Sequence, residues 1–210
     1  MPNLAPAVVD FADHVRESSL EAHRAAEQSP FIVALMRGEL SLADYTRYLA
    51  QFAHVYEALE ERMPRADDPA IIDPRLSRLA AIESDLLELS VADWRAEHPA
   101  LSATAAYAAH IRSIGEDDTA AYLAHHYTRY LGDLSGGQAI SRLVARHYAV
   151  APGQLGFYRF EGIDEIVPFK RAYRDGLNGL GLDPHTADRF VAEVNAAYRF
   201  NTAIFDELAA

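Results

Sequence analysis

The chain has 210 residues, 50% of them hydrophobic and 24% charged, a globular composition that excludes a disordered or collagen-like chain. Nineteen Lys and Arg against 31 Asp and Glu leave a net charge of −12, which argues against nucleic acid or an anionic membrane surface as partner, since both require clustered cations. There is no cysteine, so disulfides, thiolate metal sites, ordinary iron–sulfur clusters and a thiol nucleophile are excluded.

At roughly 150 residues per domain the length suits one large domain. Nearly every segment has helical period, and no alternating strand pattern stands out. A first helix is expected over 8–28, where Val8, Phe11, Ala12 and Val15 form an apolar stripe. Phe31 to Met36 reads as a short helix closed near Gly38. Ser41 and Asp44 form an acidic capping box, opening a helix that runs to about Pro64. Asp67-Asp68-Pro69 is a loop, and Asp73-Pro74 starts the next helix through Leu76, Leu79, Glu83 and Leu86. Another helix spans about Ser102 to Gly115. The longest run begins at Asp117-Asp118-Thr119 and reaches about Tyr148. Residues 151–163 read as a long connection, and helices at 164–178 and 184–207 close the chain. One all-α domain is expected over 1–210, ordered from about 8 to 208. No basic segment followed by an apolar core opens the chain and no hydrophobic tail follows Leu208, so neither a signal peptide nor a membrane anchor is expected. A cytoplasmic protein is the default.

Three features depart from a plain helical protein. Gly132, Gly136 and Gly137 lie inside the longest helical run, each costing ~1 kcal/mol relative to Ala. Gly132 and Gly136 share a face, so backbone there is open to close approach, either by another helix or by a flat ligand. Arg16, His23 and Glu27 share one helix face, with a carboxylate one turn beyond the imidazole. Such a carboxylate orients a metal-bound histidine; a His–Glu pair at this spacing is also an ordinary surface contact. Lys170 and Arg174, one turn apart around Tyr173, form a local basic spot that suits a dianion; a solvated face or an ion pair with one of the acids is the plainer alternative. The Glu-x-x-His and His-Glu-x-x-His metal signatures are absent, and His125 and His126 point about 100° apart on a helix, a poor arrangement for joint chelation. A flat, metal-centred dicarboxylate such as heme accounts for all three features.

On these residues the sequence resembles the heme oxygenases. Tyr127-Thr-Arg-Tyr-Leu-Gly-Asp-Leu-Ser-Gly-Gly-Gln138 carries the distal-helix signature of that family. Ala22-His23 with Glu27, Phe157-Tyr-Arg-Phe-Glu-Gly162, Phe169-Lys-Arg-Ala-Tyr-Arg174 and Phe200-Asn201 with Phe205 resemble further segments. The resemblance covers about residues 8–208 and is nearest to the soluble bacterial members. It implies heme b as both cofactor and substrate, His23 as the axial iron ligand and Glu27 as its outer partner. It places Gly132 and Gly136 over the heme, with Asp133 anchoring water in a network with Tyr56, Arg129 and Asn201. Arg16, Tyr127, Lys170 and Arg174 match propionate contacts. The implied reaction takes O2 and external electrons, from a ferredoxin or flavin reductase, to biliverdin, CO and ferrous iron. Cleavage is expected at the α-meso carbon, and a role in iron acquisition is one possible purpose. Arg16 departs from the usual lysine, changing donor geometry while keeping charge. Pro168, Asp164 and Glu165 also depart from the family pattern on the propionate side. Two rivals stay open here: a heme carrier without turnover, which needs no Asp133, and a thiamin-degrading enzyme of similar helical architecture, which would need a cysteine.

Overall fold

The computed structural model describes residues 10–62 and 65–210. Among them there are helices and turns and no strand. Helix α4, Leu42–Glu60, is the centre of the fold. Tyr45, Leu49, Phe52, Ala53, Val55, Tyr56 and Leu59 are fully buried along it, and it packs against α5 (Leu79–Glu88), α7 (Ser102–Ser113) and α11 (Pro184–Ala209). A helix apolar on most sides belongs inside a bundle. Helix α11 forms the second spine, touching α2 (Leu20–Glu27), α3 (Pro30–Arg37), α7 and α8 (Thr119–His126).

The end signals behave as the side chains dictate. The Ser41 amide donates to Asp44 Oδ2 at 2.8 Å, and the Asp44 amide returns a bond to Ser41 Oγ at 3.1 Å, the reciprocal cap expected. Gly38 closes α3 at φ 73°, a left-handed position that glycine adopts without penalty. Asp183 accepts from the amides of His185 and Thr186 and starts α11.

Several boundaries differ from expectation. The first helix is two, α1 (Phe11–Ser18) and α2, separated at Ser19. The Ser19 hydroxyl donates to the Val15 carbonyl at 2.8 Å, a local bond that competes with helix continuation. Val8 of the expected stripe lies outside the described residues, as do Met63 and Pro64 beyond the end of α4. Asp73 caps only a single 3-10 turn, Pro74–Leu76. Helix α5 starts later because the Glu60 carboxylate, arriving from α4, accepts from the amides of Arg78 at 2.6 Å and Leu79 at 3.3 Å. The one-turn helix α6, Trp94–Glu97, capped by Asp93, has no counterpart in the sequence reading. The connection 151–163 holds two 3-10 turns. Asp85 fixes it by accepting from the amides of Gly156 at 2.7 Å and Phe157 at 2.8 Å.

The longest helical run extends unbroken from Thr119 to Tyr148 but is not uniform. Between α8 and α9 (Gly132–Tyr148), residues Tyr127–Leu131 form a π-helical turn. Such widened turns recur at functional sites because they re-aim neighbouring side chains. Helix α10, Ile166–Asn178, lies against α1, and Asn178 Oδ1 accepts from the Ala12 amide at 2.8 Å.

Candidate active site

The π turn and the start of α9 carry a buried polar network. Arg129, whose side chain is 8% exposed, donates through Nη2 to Asp133 Oδ1 at 3.2 Å and to the Tyr56 hydroxyl at 3.4 Å. Its Nη1 donates to Asn201 Oδ1 at 3.3 Å. The Tyr56 hydroxyl donates to the other carboxylate oxygen of Asp133. The guanidinium lies 4.3 Å from the Phe52 ring centre, a cation–π contact that helps a buried charge with few other partners. Three helices and the π turn therefore bring Tyr56, Arg129, Asp133 and Asn201 together. Burial pushes the Asp133 carboxyl above the ordinary carboxylate value, while the Arg129 guanidinium and the Tyr56 hydroxyl pull it back part way. A buried acid poised in this way is suited to hold or pass a proton. Arg129 Nε remains without a partner, an uncompensated donor at the heart of the network.

The three glycines of α9 separate into two kinds. A Cβ added at Gly137 would stand 3.2 Å from the Tyr158 ring, so that glycine serves helix packing. At Gly132 and Gly136 an added Cβ would meet nothing within 4 Å. Gly132 has φ −60° and ψ −50°, ordinary helical backbone that any residue adopts. Neither conformation nor packing within the chain demands glycine at Gly132, and no packing demands it at Gly136.

His23 lies on α2 with its side chain 41% exposed and its ring edge-on to Tyr198 of α11 at 5.3 Å. Its Nε2 stands 3.5 Å from Glu27 Oε1, too far for a firm hydrogen bond, so the ring is not committed to that partner. Tyr198 spans the two sides. Burial pushes its hydroxyl up, and it also senses Tyr127, Arg129 and Glu27. The Tyr127 hydroxyl is raised first by burial and lowered by the charges of Arg174 and then Arg16. Tyr127, Arg174 and Arg16 thus share one neighbourhood, on the π turn and on the packed pair α1 and α10. Arg16 is exposed and loosely paired, with Asp13 at 3.6 Å. Among the described residues neither Lys170 nor Arg174 has a carboxylate within 4 Å, so the ion-pair explanation of this basic spot does not hold. Burial and then the Arg174 charge lower the Lys170 ammonium, a strain that a bound anion would relieve.

Two cavities are lined by none of His23, Gly132, Gly136 or the buried network. The larger, about 480 Å³, is lined by Arg62, Arg65 and Arg112, but each of these arginines already pairs with an acid: Asp68, Asp117 and Glu61 respectively. The smaller, about 170 Å³, lies beside Glu60, His126 and Tyr130.

Sequence reasoning did not single out the π turn, Phe52 beneath the guanidinium, or Tyr198. The last was within reach, because Tyr198 and Asn201 are three residues apart and share a helix face. The π turn had no local signal, since the apolar period runs through it.

Fold and network together define a helix-bundle protein whose polar chemistry is set where one long helix widens. The heme oxygenase family model matches residues 9–207. The chain is 34% identical to heme oxygenase 1 of Synechocystis over 204 residues, covering 95% of this chain and 85% of that protein. It is also 34% identical to heme oxygenase 1 of Gallus gallus, covering 95% and 70% respectively. The crystal structure of the Synechocystis heme oxygenase-1 in complex with heme superposes with a TM-score of 0.89, covering 95% of this chain and 92% of that one. The Leptospira interrogans heme oxygenase gives 0.89 at 35% identity, covering 95% and 100%. The chain belongs to the heme oxygenase family. Among the described residues no helix is long and apolar enough to cross a membrane.

Proposed function

We propose that the whole of 1–210 acts as one heme oxygenase domain that cleaves heme with O2 and external electrons to biliverdin, CO and ferrous iron. The observation that carries this reading is the pair Gly132 and Gly136, glycines with an open face that no neighbour in the chain fills. The uncommitted His23 ring and the unpaired Lys170 and Arg174 fit the same flat, iron-centred dianion.

Heme b, when bound, supplies the redox-active iron and is itself the molecule consumed. His23 would hold the iron, and Glu27, 3.5 Å from its Nε2, would orient its ring. Arg16, Tyr127, Lys170 and Arg174 would receive the propionates, and such a clamp would favour cleavage at the α-meso carbon. Gly132 and Gly136 present bare backbone, so no side chain of that face competes to protonate or ligate. Proton supply falls to water held by Asp133. Tyr56 and Arg129 fix the two carboxylate oxygens, and Asn201 fixes Arg129. Electrons come from a separate ferredoxin or flavin reductase, because a chain without cysteine offers no ordinary iron–sulfur cluster and its described residues, which form no strand, offer no dinucleotide fold. The cytoplasm, where such donors operate, is the compartment we assign.

Heme mixed with the chain and supplied with a reductant in air is expected to lose its Soret band, release CO and yield biliverdin. A complex that keeps its Soret band unchanged is a carrier and overturns the reading. Helix propensity adds a second expectation. Gly132→Ala and Gly136→Ala should each raise the stability of the heme-free chain by about 0.5–1 kcal/mol, equivalent to ~1–4 °C in melting temperature at this chain length, while weakening heme binding or turnover. Stabilised variants with unchanged heme chemistry would mean the bare face has no part in it.

A further inference from the structure

A second cluster of ligating side chains lies outside this network. His110 on α7, His125 on α8 and Glu193 on α11 converge, with their ligating atoms all within 4.8 Å of one another. Both imidazoles aim Nε2 at the same carboxylate oxygen, Glu193 Oε2, His110 at 2.9 Å and His125 at 3.0 Å. We propose that His110, His125 and Glu193 form a binding site for a divalent transition-metal cation of the Zn2+ type, distinct from the heme chemistry.

The donor set is two imidazoles and one carboxylate, which suits Zn2+, Co2+ or Ni2+ and not Mg2+ or Ca2+. At metal–ligand distances near 2.0–2.1 Å, tetrahedral neighbours stand about 3.3 Å apart, so the two nitrogen–oxygen separations of 2.9 and 3.0 Å need open by only a few tenths of an ångström. Burial lowers His125, and the hydrogen bonds from His125 and then His110 lower the Glu193 carboxyl. On coordination each ring keeps its proton by moving it to Nδ1. For His125 that nitrogen stands 3.2 Å from the Tyr107 hydroxyl, the outer contact that fixes a ligating ring. His125 is fully buried, while His110 and Glu193 are 32% and 23% exposed. The cation therefore enters from their side, with the fourth position toward solvent. Three helices would be pinned by one ion, two of them continuing into the active-site network: α8 leads into the π turn, and α11 carries Asn201.

The test is calorimetric titration of the tag-free chain with Zn2+, with Co2+ as a spectroscopic substitute. One saturable ion per chain, tetrahedral Co2+ absorption and a raised melting temperature are expected. The His23→Ala chain should bind equally, which removes the exposed His23–Glu27 pair from consideration. His110→Ala and Glu193→Gln should each weaken binding at least tenfold, while His185→Ala, at the exposed start of α11, should not. Both weakening substitutions are at partly exposed positions, and their folding is checked by melting without metal. Absence of saturable one-to-one binding, or binding that survives both substitutions in folded protein, overturns the proposal.

Discussion

Replacing His23 with alanine is expected to abolish ligation of the heme iron and to lower heme oxidation at least a hundredfold, about 2.7 kcal/mol in barrier. The heme itself should remain associated, because Lys170, Arg174, Arg16 and Tyr127 on the other elements are untouched. The ring is 41% exposed and makes no firm hydrogen bond to Glu27, so its removal should change the stability of the heme-free chain by no more than about 0.5 kcal/mol. Loss of activity is then attributable to the missing nitrogen and not to unfolding. The hole left on α2 faces solvent, and free imidazole added to the variant should refill it and recover part of the turnover. An iron absorption spectrum identical to that of the parent chain would show that another group is the ligand. His125 is a poor substitute, since its fully buried ring presents no face to a heme.

Asp133→Ala is expected to keep heme binding and lose biliverdin formation by about 10²- to 10⁴-fold, the usual worth of a positioned proton-transfer group. The carboxylate is held by Tyr56 and Arg129, so its loss also leaves the Arg129 guanidinium buried without its acid. An unpaired buried charge costs ~3–5 kcal/mol, and the alanine chain should melt earlier. Asp133→Asn separates the two effects. Its amide oxygen still accepts from one of the two donors and the fold is kept, but the group no longer titrates. Product analysis after aerobic turnover is the measurement. Should both variants make biliverdin at the parent rate, proton delivery does not run through Asp133.

Much of the architecture follows from local chemistry that a sequence displays. Ser41 with Asp44, Gly38, and Asp183 with Pro184 mark ends by side-chain and backbone rules that need no distant partner, and the structure places those ends accordingly. Where the expectation slipped, a remote group decided. Glu60 reaches from α4 to start α5 at Leu79, and Asp85 orders the turn at Gly156 and Phe157 across a long stretch of chain. Neither pairing has a spacing to read. In the site, Gly132 and Gly136 stood out because glycines break helix economy within a helical period. The network that joins Asp133 to Tyr56 and Asn201 was indicated only by family resemblance, since those three residues are far apart in the chain. His110 and Glu193 escaped notice for the same reason, and His125 was weighed only beside His126: the three sit on separate helices.

The π turn at Tyr127–Leu131 has one more consequence. An added residue in a helix rotates everything after it by about 100°, so the turn sets the phase between α8 and the face that bears Gly132, Asp133 and Gly136. Shortening the segment by one residue would leave a smoother helix with regular hydrogen bonds, yet it would swing the acid and the bare backbone to another side of the bundle. Residue number here matters as much as residue identity: an insertion within these five positions would mis-aim the face bearing Asp133 with every side chain of the site retained.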